Sequence, residues 1–190
     1  MRIVAGEVGG RPIETPSGRE IRPTSDRTRE ALFAILESGG LSQGRNLVHG
    51  ARLLDAFAGT GAVGLEALSR GAERCFFLEQ DRVALELMRR NAAGLGLAER
   101  CEIRLGDALQ PPRAQAPCEL IFLDPPYGQG LLDPAVRALG TTGWIAPASL
   151  VIIETDGKHP EALPADLRLL DQRRYGKAGL LFAEAAGETA

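Results

Sequence analysis

The stretch Arg52-Leu53-Leu54-Asp55-Ala56-Phe57-Ala58-Gly59-Thr60-Gly61-Ala62-Val63-Gly64 decides the fold. Its first four residues read as a short buried strand. A glycine-rich turn follows, and residues 62–69 carry the apolar content of a helix that Gly71 ends. A glycine turn between a strand and a helix is the setting in which a G-x-G-x-x-G match carries meaning. There Gly59 and Gly61 let the backbone approach a ligand closely, and Gly64 lets the helix pack tightly on the sheet. A purely structural turn has the same look, so the residues around it must supply the rest.

Downstream, short apolar runs alternate with helical patterns. Strands are expected at 75–79, 101–105, 119–123 and 150–154, and helices at 82–93 and 131–139. That alternation predicts βαβ units and a mostly parallel sheet. The last two runs, 167–175 and 180–185, are joined only by Gly176-Lys177-Ala178-Gly179. This is too short for a helical crossover, so they are expected to pair antiparallel. Upstream, 2–4 and 11–13 are separated by Gly6, Gly9 and Gly10 and read as a hairpin. Residues 25–37 read as a helix capped by Ser25 and stopped by Gly39-Gly40. The expected organisation is a hairpin–helix extension over 1–50, including a linker at 41–50, and a ligand-binding domain over 51–190.

Bulk properties narrow the class. The chain has 190 residues, of which 44% are hydrophobic and 25% charged, the balance of a soluble globular protein with one core. The formal net charge of −3 excludes a globally basic nucleic-acid binder, so any such site is a local patch. Three dispersed cysteines and two histidines argue against a disulfide framework and against structural zinc, and no metal is expected. The thiols read as small buried hydrophobes in a reducing compartment. The N-terminus lacks a signal-like apolar run, and no segment is long enough to span a membrane. These features predict a cytoplasmic protein with no membrane partner.

Three carboxylates sit where a nucleoside ligand would need them. Glu79 ends the second strand, 15 residues beyond Gly64, and suits a pair of ribose hydroxyls. Asp107 follows the third strand and suits an adenine amino group, although a capping role would explain it equally. Asp55 ends the first strand four residues before Gly59. A carboxylate there repels a pyrophosphate but attracts the amino group of a methionine moiety. The loop is therefore read as a site for S-adenosylmethionine rather than a dinucleotide. The candidate cofactor-binding residues are Asp55, Phe57, Gly59, Thr60, Gly61, Glu79 and Asp107.

The most specific signal is Asp124-Pro125-Pro126-Tyr127, directly after an apolar strand. Two prolines fix the backbone and remove two N–H donors. The loop then offers carbonyl oxygens, one carboxylate and an aromatic face at the carboxyl edge of the sheet. That set suits an amino group on a flat ring, so Asp124, Pro125, Pro126 and Tyr127 are the candidate catalytic residues.

Together, Asp55, Gly59, Gly61, Glu79, the Gly106-Asp107 pair and the Asp124–Tyr127 tetrad resemble the Rossmann-like methyltransferases that modify exocyclic amines. Residues 2–6, 10–12, 22–27 and 29–33, with Tyr175-Gly176, narrow the resemblance to the bacterial small-subunit (16S) ribosomal RNA guanine-N2 methyltransferases of the RsmD type. The resemblance spans nearly the whole chain. It implies a Rossmann-like α/β fold with a seven-stranded sheet and a reversed last strand. It also implies methyl transfer from S-adenosylmethionine, leaving S-adenosylhomocysteine, to the N2 atom of one guanine. The implied partner is ribosomal RNA in the small subunit or an assembly intermediate; nothing in the sequence suggests an obligate oligomer, so a monomer is expected.

Two basic segments are the candidate RNA contacts. Residues 19–29 hold four arginines against two carboxylates, and 168–177 hold four cations against one. From these, Arg22, Thr24, Arg27, Arg29, Arg173, Arg174 and Lys177 are singled out. The nearest rival is a DNA adenine-N6 or cytosine-N4 methyltransferase, because the tetrad can hold any exocyclic amine. The chain leaves little room for the target-recognition domain such an enzyme needs. A nicotinamide oxidoreductase lacks a hydride partner here, and a non-catalytic RNA-binding module would have no need of the cofactor motifs.

Overall fold

The computed structural model describes residues 1–15, 24–147, 149–157 and 162–186. Its centre is a seven-stranded sheet. The strands are β1 (Arg52–Asp55), β2 (Arg74–Glu79), β3 (Cys101–Leu105), β4 (Leu120–Leu123), β5 (Leu150–Asp156), β6 (Leu167–Tyr175) and β7 (Ala178–Ala185). Their order is β3-β2-β1-β4-β5-β7-β6. Pairings among β1 to β5 are parallel, while β7 runs antiparallel to both β5 and β6. The reversed strand is thus inserted between β5 and β6. A turn at Gly176, with φ +62°, permits the tight reversal.

The inner strands are apolar on both faces because both are covered. Leu53, Cys75, Phe77, Leu120, Phe122 and Ile152 point to one face, and Leu54, Phe76, Leu78, Ile121, Leu123 and Ile153 to the other. The first face is covered by α2 (Ala62–Ser69) and α3 (Arg82–Leu95), the second by α4 (Leu132–Thr141) and Trp144. The Trp144 indole donates to the Pro112 carbonyl at 2.7 Å, so its buried N–H is satisfied. Strand β6 lies at the sheet's edge and is mostly exposed.

The N-terminal segment forms the expected hairpin. Arg2 bridges Pro12, and Ile3 and Ile13 accept or donate backbone bonds across it. Helix α1 (Asp26–Ser38) begins at Ser25, whose hydroxyl accepts from the Thr28 amide at 3.1 Å, and ends at Gly39 in the left-handed region. The hairpin and α1 share the apolar cluster of α2 and α3: Ile3, Ile13, Leu32, Phe33 and Leu36 pack with Leu65, Leu68 and Leu95. One buried carboxylate ties this docking together. Glu66 accepts the Val4 amide at 2.7 Å, the Ala5 amide at 3.0 Å and Arg70 Nε at 2.8 Å. On the other side of the hairpin, Arg11 donates to the carbonyls of Gly94 and Leu95 at the end of α3, and Asn91 exchanges two hydrogen bonds with the Glu14 backbone.

The strand order reverses between β1 and β4. Crevices in open α/β sheets form outside the carboxyl ends of the strands at such a point. Asp55 ends β1 and Asp124 follows β4, so the fold brings the two motifs to one place.

Candidate active site

Two adjoining hollows open at that edge. One, of about 370 Å³, is lined by Thr24, Asp55, the Phe57–Thr60 loop, Phe122 and the tetrad Asp124–Tyr127. The other, of about 380 Å³, is lined by Phe57, Glu79, Gln80, Asp81, Gly106 and Ala108. Phe57, Asp124 and Pro126 line both. The tetrad is therefore the partition between the hollows, and a ligand spanning them passes beside it.

The glycine loop is held by its neighbours. The Ala56 amide donates to the Phe122 carbonyl and the Ala58 amide to the Leu78 carbonyl, each at 3.1 Å. Glu79 adds a side-chain tie: one carboxylate oxygen accepts from the Gly59 amide and the other from the Asp81 amide, both at 2.7 Å. Gly61 begins α2 with φ +75°, and a Cβ there would lie 2.7 Å from Met88 Cγ. At Gly64 a Cβ would meet Phe77 at 2.3 Å and the Cys75 sulfur at 2.4 Å. Gly59 differs, since with φ +53° a Cβ there would meet nothing within 4 Å. The first two glycines serve packing, and Gly59 leaves open space toward the hollow.

Asp55 is the electrostatic centre. It is 2% exposed, and Oδ2 accepts the Gly64 amide at 3.3 Å. Burial raises its pKa to about 7, with the Gly64 amide opposing the rise and the Glu79 charge adding to it. A buried carboxylate at the wall of a hollow, with one long hydrogen bond, fits a cationic ligand group. The three thiols are held neutral. Burial pushes Cys101 and Cys118 up to about 12 and Cys75 well above its ordinary value.

Asp107 uses Oδ1 to accept the Leu109 amide at 2.8 Å, a local turn bond that accompanies any ligand role. Thr60 is buried in the wall of the first hollow. Tyr127, 39% exposed, stands at its mouth.

The basic residues divide. Arg22 lies outside the described residues. Arg27 is exposed at the start of α1. Arg173, Arg174 and Lys177 are exposed around the β6–β7 turn, with Arg173 paired to Asp171 at 2.9 Å. Register places these two segments together: Thr24 bonds Glu154, Glu154 lies opposite Leu180, and Leu180 lies opposite Arg173. Two expectations need correction. Arg29 is fully buried, donating to the Thr24 carbonyl at 2.9 Å, the Arg2 carbonyl at 2.5 Å and Asp26 at 2.9 Å. It fastens α1 to the hairpin and reaches no phosphate. Thr24 is 6% exposed and faces the first hollow, so it too is no surface phosphate contact.

Sequence reasoning missed Glu66 and Glu154, both buried. Glu66 was legible in principle as the one acidic residue in an otherwise apolar helix. Glu154 carried no such mark, because it looks like any strand-terminal carboxylate.

Residues 1–184 match the model of the family described as "Conserved hypothetical protein 95". The chain belongs to that family, the RsmD family of methyltransferases. Its members include the ribosomal RNA small subunit methyltransferase D of Haemophilus influenzae, 33% identical over 180 residues, covering 93% of this chain and 89% of the relative. The solved Escherichia coli methyltransferase yhhF superposes with a TM-score of 0.81 at 31% identity, covering 97% of each chain. A Thiobacillus denitrificans methyltransferase solved with S-adenosyl-L-homocysteine shares the fold at a TM-score of 0.58 and 18% identity, over 73% of this chain and 51% of that one. The fold is that of the S-adenosylmethionine-dependent methyltransferases, and S-adenosylmethionine is the family's cofactor. The two hollows fit it: one wall offers the buried Asp55 carboxylate, the other Glu79 with Gly106 and Ala108, while Asp107 itself lines neither. Among the described residues, no helix is long and apolar enough to cross a membrane.

Proposed function

We propose that this methyltransferase modifies ribosomal RNA of the small subunit, at the exocyclic N2 of a guanine. The carrying observation is the partition formed by Asp124 and Pro126, which line both hollows. When bound, S-adenosylmethionine supplies a sulfonium methyl as electrophile. Asp55 would hold its amino group, Glu79 its ribose and the turn after Asp107 its adenine.

The residues of the tetrad act on the acceptor. The guanine amino group is a weak nucleophile, because its lone pair is delocalised into the ring. Asp124 and the Pro125 carbonyl accept its two N–H bonds, which fixes the nitrogen and favours a pyramidal lone pair. The gain is orientation and electrostatics, worth about 10²–10³ in rate for one well-placed hydrogen-bonding group. Asp124 needs no raised basicity, because the methylated nitrogen is cationic and releases its proton readily to the carboxylate or to water. Tyr127, at the mouth, stacks on the base, which contributes ~1–3 kcal/mol. A stacked base cannot reach this depth, so the target is unpaired or flipped out. Arg27, Arg173, Arg174 and Lys177 contact RNA phosphates beside the opening.

The test uses methyl-labelled S-adenosylmethionine and small ribosomal subunits from a strain lacking the equivalent enzyme, followed by digestion to nucleosides. Label in N2-methylguanosine is the expected result. Label in another nucleoside, or none although the cofactor binds by calorimetry, rejects the guanine-N2 reading.

A further inference from the structure

Thr24 is the only hydroxyl-bearing residue of the N-terminal segment that lines the hollow containing Asp124, among the described residues. Its Oγ1 donates to Glu154 Oε2 at 2.7 Å, across 130 residues of sequence. Both partners are 6% exposed, or about that, and the bond is buried. Glu154 sits near the end of β5, behind the tetrad, where Pro125, Tyr127 and Ile153 also meet. A threonine hydroxyl has one hydrogen and two lone pairs. Once that hydrogen is committed to Glu154, Oγ1 offers the hollow lone pairs only. Glu154 therefore fixes Thr24 as an obligate acceptor.

We propose that Thr24, set by Glu154, is a specificity-determining residue that reads the ring N–H beside the amine being methylated. This rests on the guanine-N2 reading and explains how that amine is selected. Guanine places the N1–H donor directly next to its 2-amino group. Adenine and cytosine place a ring nitrogen that only accepts next to theirs. An acceptor lining the same hollow as Asp124 can pair with the guanine edge and would meet a lone pair on either of the others. Buried lone pairs facing each other leave two acceptors unsatisfied, a cost that discriminates strongly in a site built for a donor. Asp124 and the Pro125 carbonyl alone accept any amine. The third acceptor turns an amine site into a guanine site. Glu154 acts through Thr24 and is a positioning residue.

The test compares two acceptor bases at the mapped target position, in subunits reassembled from synthetic RNA. One is guanine; the other is 2,6-diaminopurine, which keeps the 2-amino group and lacks the N1 hydrogen. The readout is the ratio of kcat/KM values. The wild-type enzyme is expected to favour guanine by about tenfold or more. Thr24→Val keeps the shape, removes the oxygen, and should bring the ratio to within about threefold of unity. Thr24→Ser should restore it. Glu154→Gln can donate to Oγ1 and release the hydroxyl hydrogen toward the hollow, so its ratio should also fall. S-adenosylhomocysteine binding, followed by calorimetry, should be unchanged in all three, which separates specificity from folding. A wild-type ratio retained by Thr24→Val overturns the proposal, and one retained by Glu154→Gln overturns the part played by Glu154. If guanine-bearing subunits accept no methyl from the wild-type enzyme, the guanine-N2 reading itself has failed and this one falls with it.

Discussion

Helix α2 has two buried carboxylates at its flanks, and they are treated in opposite ways. Glu66, on the helix, receives two backbone amides and Arg70, with Arg29 Nε 3.9 Å away. Asp55, at the mouth of the loop before the helix, has the Gly64 amide at 3.3 Å and a neighbouring negative charge in Glu79. The first is saturated by the protein and holds the hairpin. The second is under-provided by the protein, in a wall that opens to a hollow. Burial alone thus separates nothing; the supply of donors distinguishes a carboxylate that builds the fold from one left with little more than one long hydrogen bond at the wall of a hollow.

That contrast can be broken by substitution. Glu66→Ala removes the acceptor for three donors at once and the counter-charge beside Arg29, and should destabilise the protein by about 3–5 kcal/mol, read by denaturant unfolding. Asp55→Asn should leave stability at neutral pH equal or improved. If the two variants unfold alike, the distinction drawn here is wrong. Asp124→Ala should lower kcat about 10²–10³-fold while cofactor binding by calorimetry stays within about threefold. A loss confined to binding would move Asp124 from the acceptor side to the cofactor side.

The pH dependence sharpens the comparison further. The folded-state pKa of Asp55, about 7, lies above the ordinary Asp value of 3.8. Its ionisation is disfavoured in the fold, so its contribution to stability falls as pH rises from about 4 to about 7 and is level above. Cofactor affinity should run the other way, because only ionised Asp55 attracts the amino group. Affinity should rise severalfold between pH 6 and pH 7 and level off above, where the ligand's own α-amino group begins to lose its proton, and Asp55→Asn should flatten the rise. The smallest effect expected is at the rim. Arg27→Ala should weaken RNA binding by a few-fold and reduce its salt slope by about one, without altering cofactor affinity.

The sequence made the sheet legible because its strands are short, apolar and spaced by helices. It made the loop and the tetrad legible because glycine and proline have positional meanings that few contexts share. The strand limits moved by one or two residues, as for β7, which begins at Ala178 rather than at residue 180. What was not legible was which polar residues turn inward. Arg29 falls in an arginine-rich stretch that reads as surface, yet its side chain turns inward from α1, because Thr24, Arg2 and Asp26 accept from its two terminal nitrogens there, while its Nε has only the Glu66 charge nearby. Thr24 reads as part of the same surface patch and is instead drawn to Glu154, a partner no local pattern can reveal. Long-range pairing of polar groups leaves no period in the sequence.

The order in which the chain is made gives the hairpin a further consequence. The hairpin is synthesised well before what it docks on. Arg11 reaches the Leu95 carbonyl across 84 residues, and Val4 reaches Glu66 across 62. At a synthesis rate of roughly 5–20 residues per second, the hairpin waits about 4–17 seconds for the end of α3. During that interval Ile3 and Ile13 have no core to enter. The nascent hairpin is therefore open to capture by chaperones over that interval, and slowing translation between residues 15 and 95 should lengthen its exposure.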